Sequence, residues 1–485
     1  MFCLNIKSQH TPARYFSFCI LLTVLLVTLS IRSLQGELFI TDAQYMVAAG
    51  RWIIANGHLP TTDPLSIHSE LTYICQQYPI CILVAVLYDT FGEMSVRLFF
   101  ALLDMVAVLF IWYQTFPKAG NRILHCAVSC VFGAVIVYSL RSTPRALDIL
   151  CLAVSWELME KYIESRDIRF LFGFPFLGIF IANLHGALWP CAIMLPLAAL
   201  LDSKLDSNAR AALAVTILLT IASAMLNPYG LDVLSLPFKT IGTSDVATVA
   251  VPELKPMFSI VPVEAVILIV ISVMPVIFHA KCLGFKKTVF SFETMMISGL
   301  LFLSLMTWRN ELLLLGILMI VYSTWCWKIE PKCKASSKML SRIVLFSISV
   351  VALEFGAVLF YNTLSATDQK SISLERAFQA MREDGAVSGT AVLTDIDPGC
   401  RAELNGFKPY LDIRIEVFNG QKNVLAEAGK ALSSGSLSAI CDDYGMDYAV
   451  LNYGINDVGI QDLKESGFKP VYSDNLTVCL KRSTV

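Results

Sequence analysis

The feature that most constrains this chain is a series of long apolar runs. A helix needs about 20 apolar residues to cross the hydrocarbon core of a bilayer. Roughly twelve candidate runs predict a polytopic α-helical membrane protein of about 11 to 12 spans. Several are shorter than about 18 residues, which is typical of half-helices or re-entrant segments. The runs lie near 15–34, 79–92, 97–115, 123–140, 146–159, 170–183, 187–201, 211–226, 262–279, 290–307, 309–327 and 342–362.

Composition agrees with this class of protein. Only 16% of the residues are charged, whereas soluble domains carry about 25%. The net charge of −2 provides no basic field for nucleic acid. The fourteen cysteines contain no C-x-x-C pair, and the sequence therefore predicts no zinc site.

Positive residues predict the orientation in the plasma membrane. Lys7 and Arg14 precede the first run and place residues 1–14 in the cytoplasm. The basic segments 281–287 and 328–342 are expected on the same side, which leaves loops 36–78, 184–186, 227–261 and 307–310 outside. Lys118 and Arg122 require an odd number of crossings between 79 and 122, but two apolar runs lie there. The parity of this part stays open from sequence alone.

The first outer loop, residues 36–78, is unusually long and polar for a connection between spans. Thr41 and Asp42 are typical of a helix start, and Gly57 of a helix end. Apolar residues recur at helical spacing between them, which predicts an amphipathic helix in the membrane interface with Asp42 at its N-terminus. The apolar positions are Tyr45, Met46, Ala49, Trp52 and Ile53.

Residues 15–362 are therefore expected to form a transmembrane domain, and residues 363–485 a small extracytoplasmic α/β domain. Short β-type runs, including 409–418 and 447–454, alternate there with helical stretches. The run 447–452 is the most continuously apolar and is predicted to be the central strand. Three cysteines, Cys400, Cys441 and Cys479, allow at most one internal disulfide.

Charged residues at the outer ends of apolar runs are the candidates for chemistry, because such residues are costly unless they are used or paired. Carboxylates there suit a general base or metal ligand, and arginines suit a phosphate. Each also has a purely structural interpretation as a helix cap, turn residue or ion-pair partner. The candidate site comprises Asp42, Asp63, Arg141, Arg145, Asp148, His185, Glu253 and Arg309.

Several short motifs, taken in order, resemble bacterial membrane proteins of the GT-C glycosyltransferase superfamily. Most of the chain is covered. The motifs are Gly50-Arg51-Trp52-Ile53, Asn56-Gly57-His58-Leu59-Pro60 and Asp63-Pro64-Leu65-Ser66 in the first loop, then Asn183-Leu184-His185-Gly186, Asn227-Pro228-Tyr229-Gly230, Arg309-Asn310 and Tyr410-Leu411-Asp412-Ile413-Arg414.

The resemblance implies a transferase that moves a sugar from a polyprenyl-phosphate donor to an extracytoplasmic, cell-envelope acceptor. It implies that Asp42 acts as base or binds a divalent metal (Mg²⁺ or Mn²⁺), and that Arg309 or Arg145 holds the lipid phosphate. The small outer domain would guide the acceptor or cover the site. This chain departs from the family at Met46 and at Gln76-Gln77, where the family has a histidine and a His-Glu pair.

Two other classes of function remain open at this point. The departures favour a catalytically silent member that binds a lipid carrier or another membrane protein. A transporter is less favoured, because the charges collect at the outer ends of the runs and no two halves repeat.

Overall fold

The structure is a computed structural model and describes residues 11–34, 41–119, 121–140, 143–240, 252–324, 336–364, 368–419, 424–454 and 456–483. The predicted polytopic helical fold is confirmed. In these ranges, five helices are long and apolar enough to cross a membrane: Pro12–Arg32, Glu93–Lys118, Arg122–Ser139, Ser207–Ala224 and Pro262–Leu283. Shorter apolar helices lie at Tyr78–Phe91, Ile168–Leu184, Gly186–Ala199, Phe292–Met306 and Ser341–Leu353.

The helices of the transmembrane part are numbered here in chain order. They are α1 (Thr11–Leu34), α2 (Thr41–Asn56), α3 (Tyr78–Phe91), α4 (Glu93–Thr115), α5 (Arg122–Ser139), α6 (Arg145–Ser165), α7 (Gly173–Leu184), α8 (Cys191–Ala199), α9 (Ser207–Ala224), α10 (Leu231–Thr240), α11 (Met257–Ile260), α12 (Pro262–Leu283), α13 (Phe285–Val289), α14 (Phe292–Met306), α15 (Glu311–Ser323) and α16 (Ser336–Leu364).

Helix α2 forms where the sequence predicts it and packs closely along α3. It ends at Gly57, whose φ of 69° suits glycine. Gly50 lies where the two helices meet, since a Cβ there would be 2.0 Å from the carbonyl oxygen of Cys81. The apolar face of α2 is buried inside the protein, including Met46 at 0% exposure.

Helix α3 begins and ends on one side of the molecule, which corrects the candidate span at 79–92. Near its end, Asp89 pairs with Arg51 at 2.5 Å, and Arg51 Nη1 also donates to the carbonyl of Leu404 in the C-terminal domain. Just before its start, Gln76 donates to Glu416 of the same domain. We call this side the loop side. Between 79 and 122, α4 runs from the loop side, where α3 ends, to the end of the bundle that carries Lys118. A single crossing there agrees with the odd number that Lys118 and Arg122 require.

The opposite end of the bundle carries Arg14 and Lys118. The Arg14 guanidinium lies 4.9 Å from the ring centroid of Tyr113, which brings the start of α1 to the end of α4. Lys118 pairs with Glu157 at 2.5 Å near the end of α6. These contacts agree with the predicted grouping of the N-terminus, Lys118 and Arg122 on one side.

The C-terminal domain is an α/β unit built on a five-stranded sheet in the order β2-β1-β3-β5-β4. Strand β1 is parallel to β2 and β3, whereas β5 is antiparallel to β3 and β4. Its elements are α17 (Asp368–Glu383), β1 (Ala391–Thr394), α18 (Ile396–Leu404), β2 (Lys408–Pro409), α19 (Ile415–Phe418), α20 (Val424–Ser434), α21 (Leu437–Asp443), β3 (Tyr448–Asn452), α22 (Asp457–Glu465), β4 (Phe468–Ser473) and β5 (Thr477–Arg482).

The predicted central strand is confirmed, because β3 is the third of the five strands. The β-type run at 409–418 is not a continuous strand. Only Lys408 and Pro409 pair with β1, and the chain then turns into α19. The three cysteines that could form one disulfide are buried free thiols in the structure: Cys400, Cys441 and Cys479.

Candidate functional site

The centre of the candidate site is Arg309, in a short 3-10 turn between α14 and α15. Its side chain is 37% exposed. Arg145, the first residue of α6, donates from Nη2 to Glu253 Oε1 at 2.8 Å. The same carboxylate oxygen is 3.9 Å from Arg309 Nε. Glu253 therefore bridges two arginines that come from distant parts of the sequence.

Asp148 lies one helical turn after Arg145, on the inner wall of this site. Its carboxylate Oδ2 is 2.8 Å from Nδ1 of His185, which follows the end of α7. Both side chains are buried. A small cavity opens beside them, and its lining is Arg145, Asp148, Leu188, Arg309, Asn310, Leu312 and Leu313.

Asp42 lies in the first turn of α2 with a half-buried side chain, and its charge acts on Arg309. Burial by itself lowers the pKa of Arg309, but the carboxylates of Glu253, Asp42 and Glu416 more than offset it, and the pKa is raised. Six predicted residues are thus brought together at the loop side. They are Asp42, Arg145, Asp148, His185, Glu253 and Arg309. The seventh, Arg141, lies outside the described residues.

Asp63 is not a substrate-facing group, which corrects its assignment to the site. Its carboxylate is fully buried and accepts from Arg414 Nη1 of the C-terminal domain at 2.6 Å. Arg414 also pairs with Glu403 at 2.8 Å and with Asp412 at 2.6 Å. We call these four residues the ionic lock. Burial raises the pKa of Asp63, but Arg414 more than offsets that effect, so the pKa is lowered.

The loops that carry the site are fixed to one another by hydrogen bonds. Gly186 N donates to the carbonyl of Gln76 at 2.9 Å, and Ala187 N donates to its side-chain Oε1 at 2.9 Å. Asn227 Nδ2 donates to Asn183 Oδ1 at 3.3 Å. Residues of the motifs identified in the sequence therefore connect the start of α3, the end of α7 and the end of α9 by hydrogen bonds.

The three positions where the chain departs from the GT-C pattern have packing or hydrogen-bonding roles. Met46 is buried in the core. Gln77 Nε2 donates to the hydroxyl of Tyr45, and Gln76 ties the loops together. Neither side-chain type can act as a general acid or base.

Glu416 is the site residue that the sequence did not indicate. It lies on α19, within the run that alternates like a strand, and no motif marks it. Gln76 Nε2 donates to its Oε1 at 3.4 Å. The only signal in the sequence is its place two residues after Arg414, which ends the segment that resembles the GT-C pattern.

The carboxylates do not form a complete metal site in the part of the chain that the structure describes. No group of three potential His, Cys, Asp or Glu ligands occurs there. Asp42 and Glu416 supply two carboxylates, and Arg309 lies in their field. Protein sites for Mg²⁺ use oxygen ligands in near-octahedral geometry. The described residues do not supply that set, and we derive no step through a metal.

No protein-family model and no curated protein matches the sequence. Solved structures match its fold. The oligosaccharyltransferase of Archaeoglobus fulgidus, tethered with an acceptor peptide containing the NVT sequon, has a TM-score of 0.58 at 12% identity, over 99% of this chain and 75% of that chain. ArnT from Cupriavidus metallidurans bound to undecaprenyl phosphate has a TM-score of 0.53 at 13% identity, over 96% and 97%. Its apo state has a TM-score of 0.54. Both proteins are GT-C glycosyltransferases, and the chain has a GT-C-like fold.

Proposed function

Since the chain has a GT-C-like fold, we propose that it is a membrane glycosyltransferase that moves a sugar from a polyprenyl-phosphate donor to an extracytoplasmic acceptor of the cell envelope. The observation that carries the proposal is that Arg145 and Arg309 line one cavity on the loop side, with the Asp42 carboxylate close enough to raise the pKa of Arg309. One solved neighbour, ArnT, is described as bound to undecaprenyl phosphate. We assign the loop side to the outside of the plasma membrane, because Arg14 and Lys118 lie at the other end.

The arginines would hold the lipid phosphate. A guanidinium presents paired N–H donors to phosphate oxygens and stays charged at every relevant pH. Arg309 is the more exposed of the two, at 37% against 11% for Arg145. Arg309 would therefore make the first contact. Arg145 would share its guanidinium between Glu253 and the phosphate.

Asp42 would act as the general base on the acceptor. The acceptor oxygen forms a bond to the anomeric carbon of the sugar, and its proton passes to the Asp42 carboxylate. The bond from the anomeric carbon to the phosphate oxygen breaks, and its electron pair leaves on the polyprenyl phosphate. The leaving group departs with a charge that the arginines already stabilise, so positioning and electrostatics supply most of the catalysis.

The competing function is a catalytically silent protein that binds a lipid carrier. The roles of Met46, Gln76 and Gln77 favour it, because these side chains supply no acid or base. The two functions share the phosphate site at Arg309 and differ at Asp42. The decisive experiment therefore measures binding and transfer separately.

Asp42→Asn is the test of the transferase. Asp42 lies in the first turn of α2, where a negative charge stabilises the helix dipole by about 0.3–1 kcal/mol, so Asn should lower the free energy of unfolding by about 1 kcal/mol at most. Loss of the base should reduce sugar transfer by about 100-fold or more. Transfer would be measured in proteoliposomes with a panel of undecaprenyl-phosphate-linked hexoses and pentoses, and undecaprenyl phosphate binding would be measured in parallel. Arg309→Gln should weaken that binding.

The matched control is Asp89→Asn, which removes an exposed carboxylate paired with Arg51 at the end of α3. A surface ion pair contributes about 0–1 kcal/mol, and transfer should be unchanged. Normal transfer by Asp42→Asn would show that Asp42 is only structural. Binding of undecaprenyl phosphate without transfer from any donor would establish the silent lipid-carrier function instead.

A further inference from the structure

Glu416 lies on the segment of the C-terminal domain that the ionic lock fixes against the first loop. It follows Arg414, whose guanidinium lies within the ionic lock and 4.9 Å from the ring centroid of Tyr73. The residues on either side of Glu416, Ile415 and Val417, are buried. The backbone at Glu416 is therefore fixed against the first loop, while its own side chain is only half-buried.

The Glu416 carboxylate points to the transmembrane site and not into its own domain. Its hydrogen-bond partner, Gln76, lies on the loop that also holds Gly186 and Ala187. Among the described residues, Glu416 forms no salt bridge with Lys or Arg, in contrast to Glu253. A neutral amide as partner leaves the carboxylate capacity for further hydrogen bonds.

Asp42 and Glu416 act on the same two groups. Both raise the pKa of Arg309 against the lowering effect of its burial. The pKa of Tyr45 is raised first by burial and then by Asp42 and Glu416. The two carboxylates therefore both act on Arg309 and Tyr45, one from the transmembrane part and one from the C-terminal domain.

Building on the proposed glycosyltransferase function, we infer that Glu416 is a second substrate-facing carboxylate of this site and that it positions the acceptor by accepting a hydrogen bond from an acceptor hydroxyl. Asp42 is then the catalytic base, and Glu416 is a positioning residue supplied by the C-terminal domain.

The negative charge of Glu416 indicates that it binds the acceptor substrate and not the phosphate of the donor. A carboxylate repels a phosphate, which Arg309 and Arg145 attract. A hydroxyl donates to a carboxylate in a short, charge-assisted bond. Glu416 belongs to the C-terminal domain, so it faces a molecule that enters between that domain and the first loop. The donor lipid arrives from the membrane.

The test compares Glu416→Gln with the unaltered protein. Transfer from undecaprenyl-phosphate-linked sugars would be measured to n-octyl β-glucoside as the hydroxyl-bearing probe, and undecaprenyl phosphate binding would be measured separately. Replacing the charged carboxylate of Glu416 by a neutral amide weakens its hydrogen bond to the probe hydroxyl, and the KM for the probe should rise about 10-fold. Affinity for undecaprenyl phosphate should stay within about twofold or increase. Glu427→Gln is the matched control, since Glu427 accepts from Tyr410 and Tyr444 within the same domain.

Each outcome decides the inference. An unchanged probe KM, or a loss confined to undecaprenyl phosphate affinity, overturns the role of Glu416 and leaves the transferase proposal intact. Absence of transfer by the unaltered protein with every donor overturns both. If Glu416→Gln does not fold, as judged by its thermal unfolding, Glu416→Asp decides. That variant keeps the charge on a shorter side chain and should raise the probe KM while undecaprenyl phosphate affinity is retained, whereas an unchanged KM refutes the inference.

Discussion

The ionic lock leads to a quantitative prediction for Asp63→Asn. Asp63 is the only member that belongs to the first loop, and the other three, Glu403, Asp412 and Arg414, belong to the C-terminal domain. Removing its charge therefore weakens the contact between the two parts, and within the first loop it also affects the hydrogen bond that Ser66 Oγ donates to Asp63 Oδ2. The asparagine retains an oxygen that can still accept from the amide of Leu65, as Asp63 does at 3.0 Å.

The size of the effect follows from the geometry. Asp63 accepts from Arg414 Nη1 at 2.6 Å and from Nη2 at 3.3 Å, and both side chains are almost fully buried. Breaking a buried ion pair costs about 3–5 kcal/mol when a charge is left uncompensated. Arg414 retains Asp412 and Glu403 as hydrogen-bond partners, so we expect a smaller cost of about 2–3 kcal/mol. That corresponds to about 30- to 140-fold in the opening equilibrium.

The amide of Ile67 reports this opening, because it donates to the carbonyl of Pro409 across the interface at 3.1 Å. Its hydrogen exchange in Asp63→Asn should be faster by the same factor, with exchange in α5 unchanged. Asp397→Asn is the control, since Asp397 forms a half-exposed ion pair with Lys370. Equal exchange at Ile67 in Asp63→Asn and the unaltered protein would refute the reasoning.

Acidification should have the same effect on the unaltered protein. The folded-state pKa of Asp63 is lowered because Arg414 outweighs the opposing effect of burial. The contribution of Asp63 to stability is therefore complete above its unfolded pKa of about 4. It is lost as the pH falls through the folded value.

Two further predictions concern stability. Burial, and then the neighbouring carboxylates, raise the pKa of Glu403 well above its ordinary value, so its contribution to stability falls as pH rises from about 4.3 toward the folded pKa. Glu403→Gln introduces an amide that can accept from Arg414 and donate to a carboxylate. The thermal unfolding midpoint of this variant at pH 8 should therefore equal or exceed that of the unaltered protein. A midpoint several degrees lower would contradict this prediction. Gly50→Ala would place a Cβ 2.0 Å from the Cys81 carbonyl oxygen and should cost about 1–3 kcal/mol. Gly299→Ala, where nothing lies within 4 Å, should not lower the unfolding midpoint, and equal midpoints for the two alanine variants would exclude the close contact.

The grouping of the site residues could be predicted from sequence because it depends on one-dimensional signals. Apolar length locates the helices, basic clusters orient them, and charged residues at helix ends then meet at the same side. Arg145, Asp148, His185, Glu253 and Arg309 all follow this logic. The start of α2 at Thr41–Asp42 follows equally from local helix-start chemistry.

The residues that sequence reasoning misplaced depend on tertiary contacts. An apolar run such as α3 has the same signal whether it crosses a bilayer or packs beside another helix, and only the contacts of Arg51 and Gln76 distinguish the two. Asp63 before Pro64 is typical of a turn, and its partner is distant in sequence. Glu416 lies in a run whose apolar residues alternate as in a strand. In the structure this run contains the buried Arg414 and forms a turn and a short helix.

The ionic lock also sets an order of events during biosynthesis. Asp63 and Arg414 are 351 residues apart. At about 5–20 residues per second, the ribosome needs roughly 20 to 70 seconds to make the intervening chain. During that time the ion pair between Asp63 and Arg414 cannot form, and the first loop lacks its contact with the C-terminal domain. A segment that is synthesised late therefore completes a loop that is synthesised early, and a chain truncated before Arg414 would leave that loop open to proteases and chaperones.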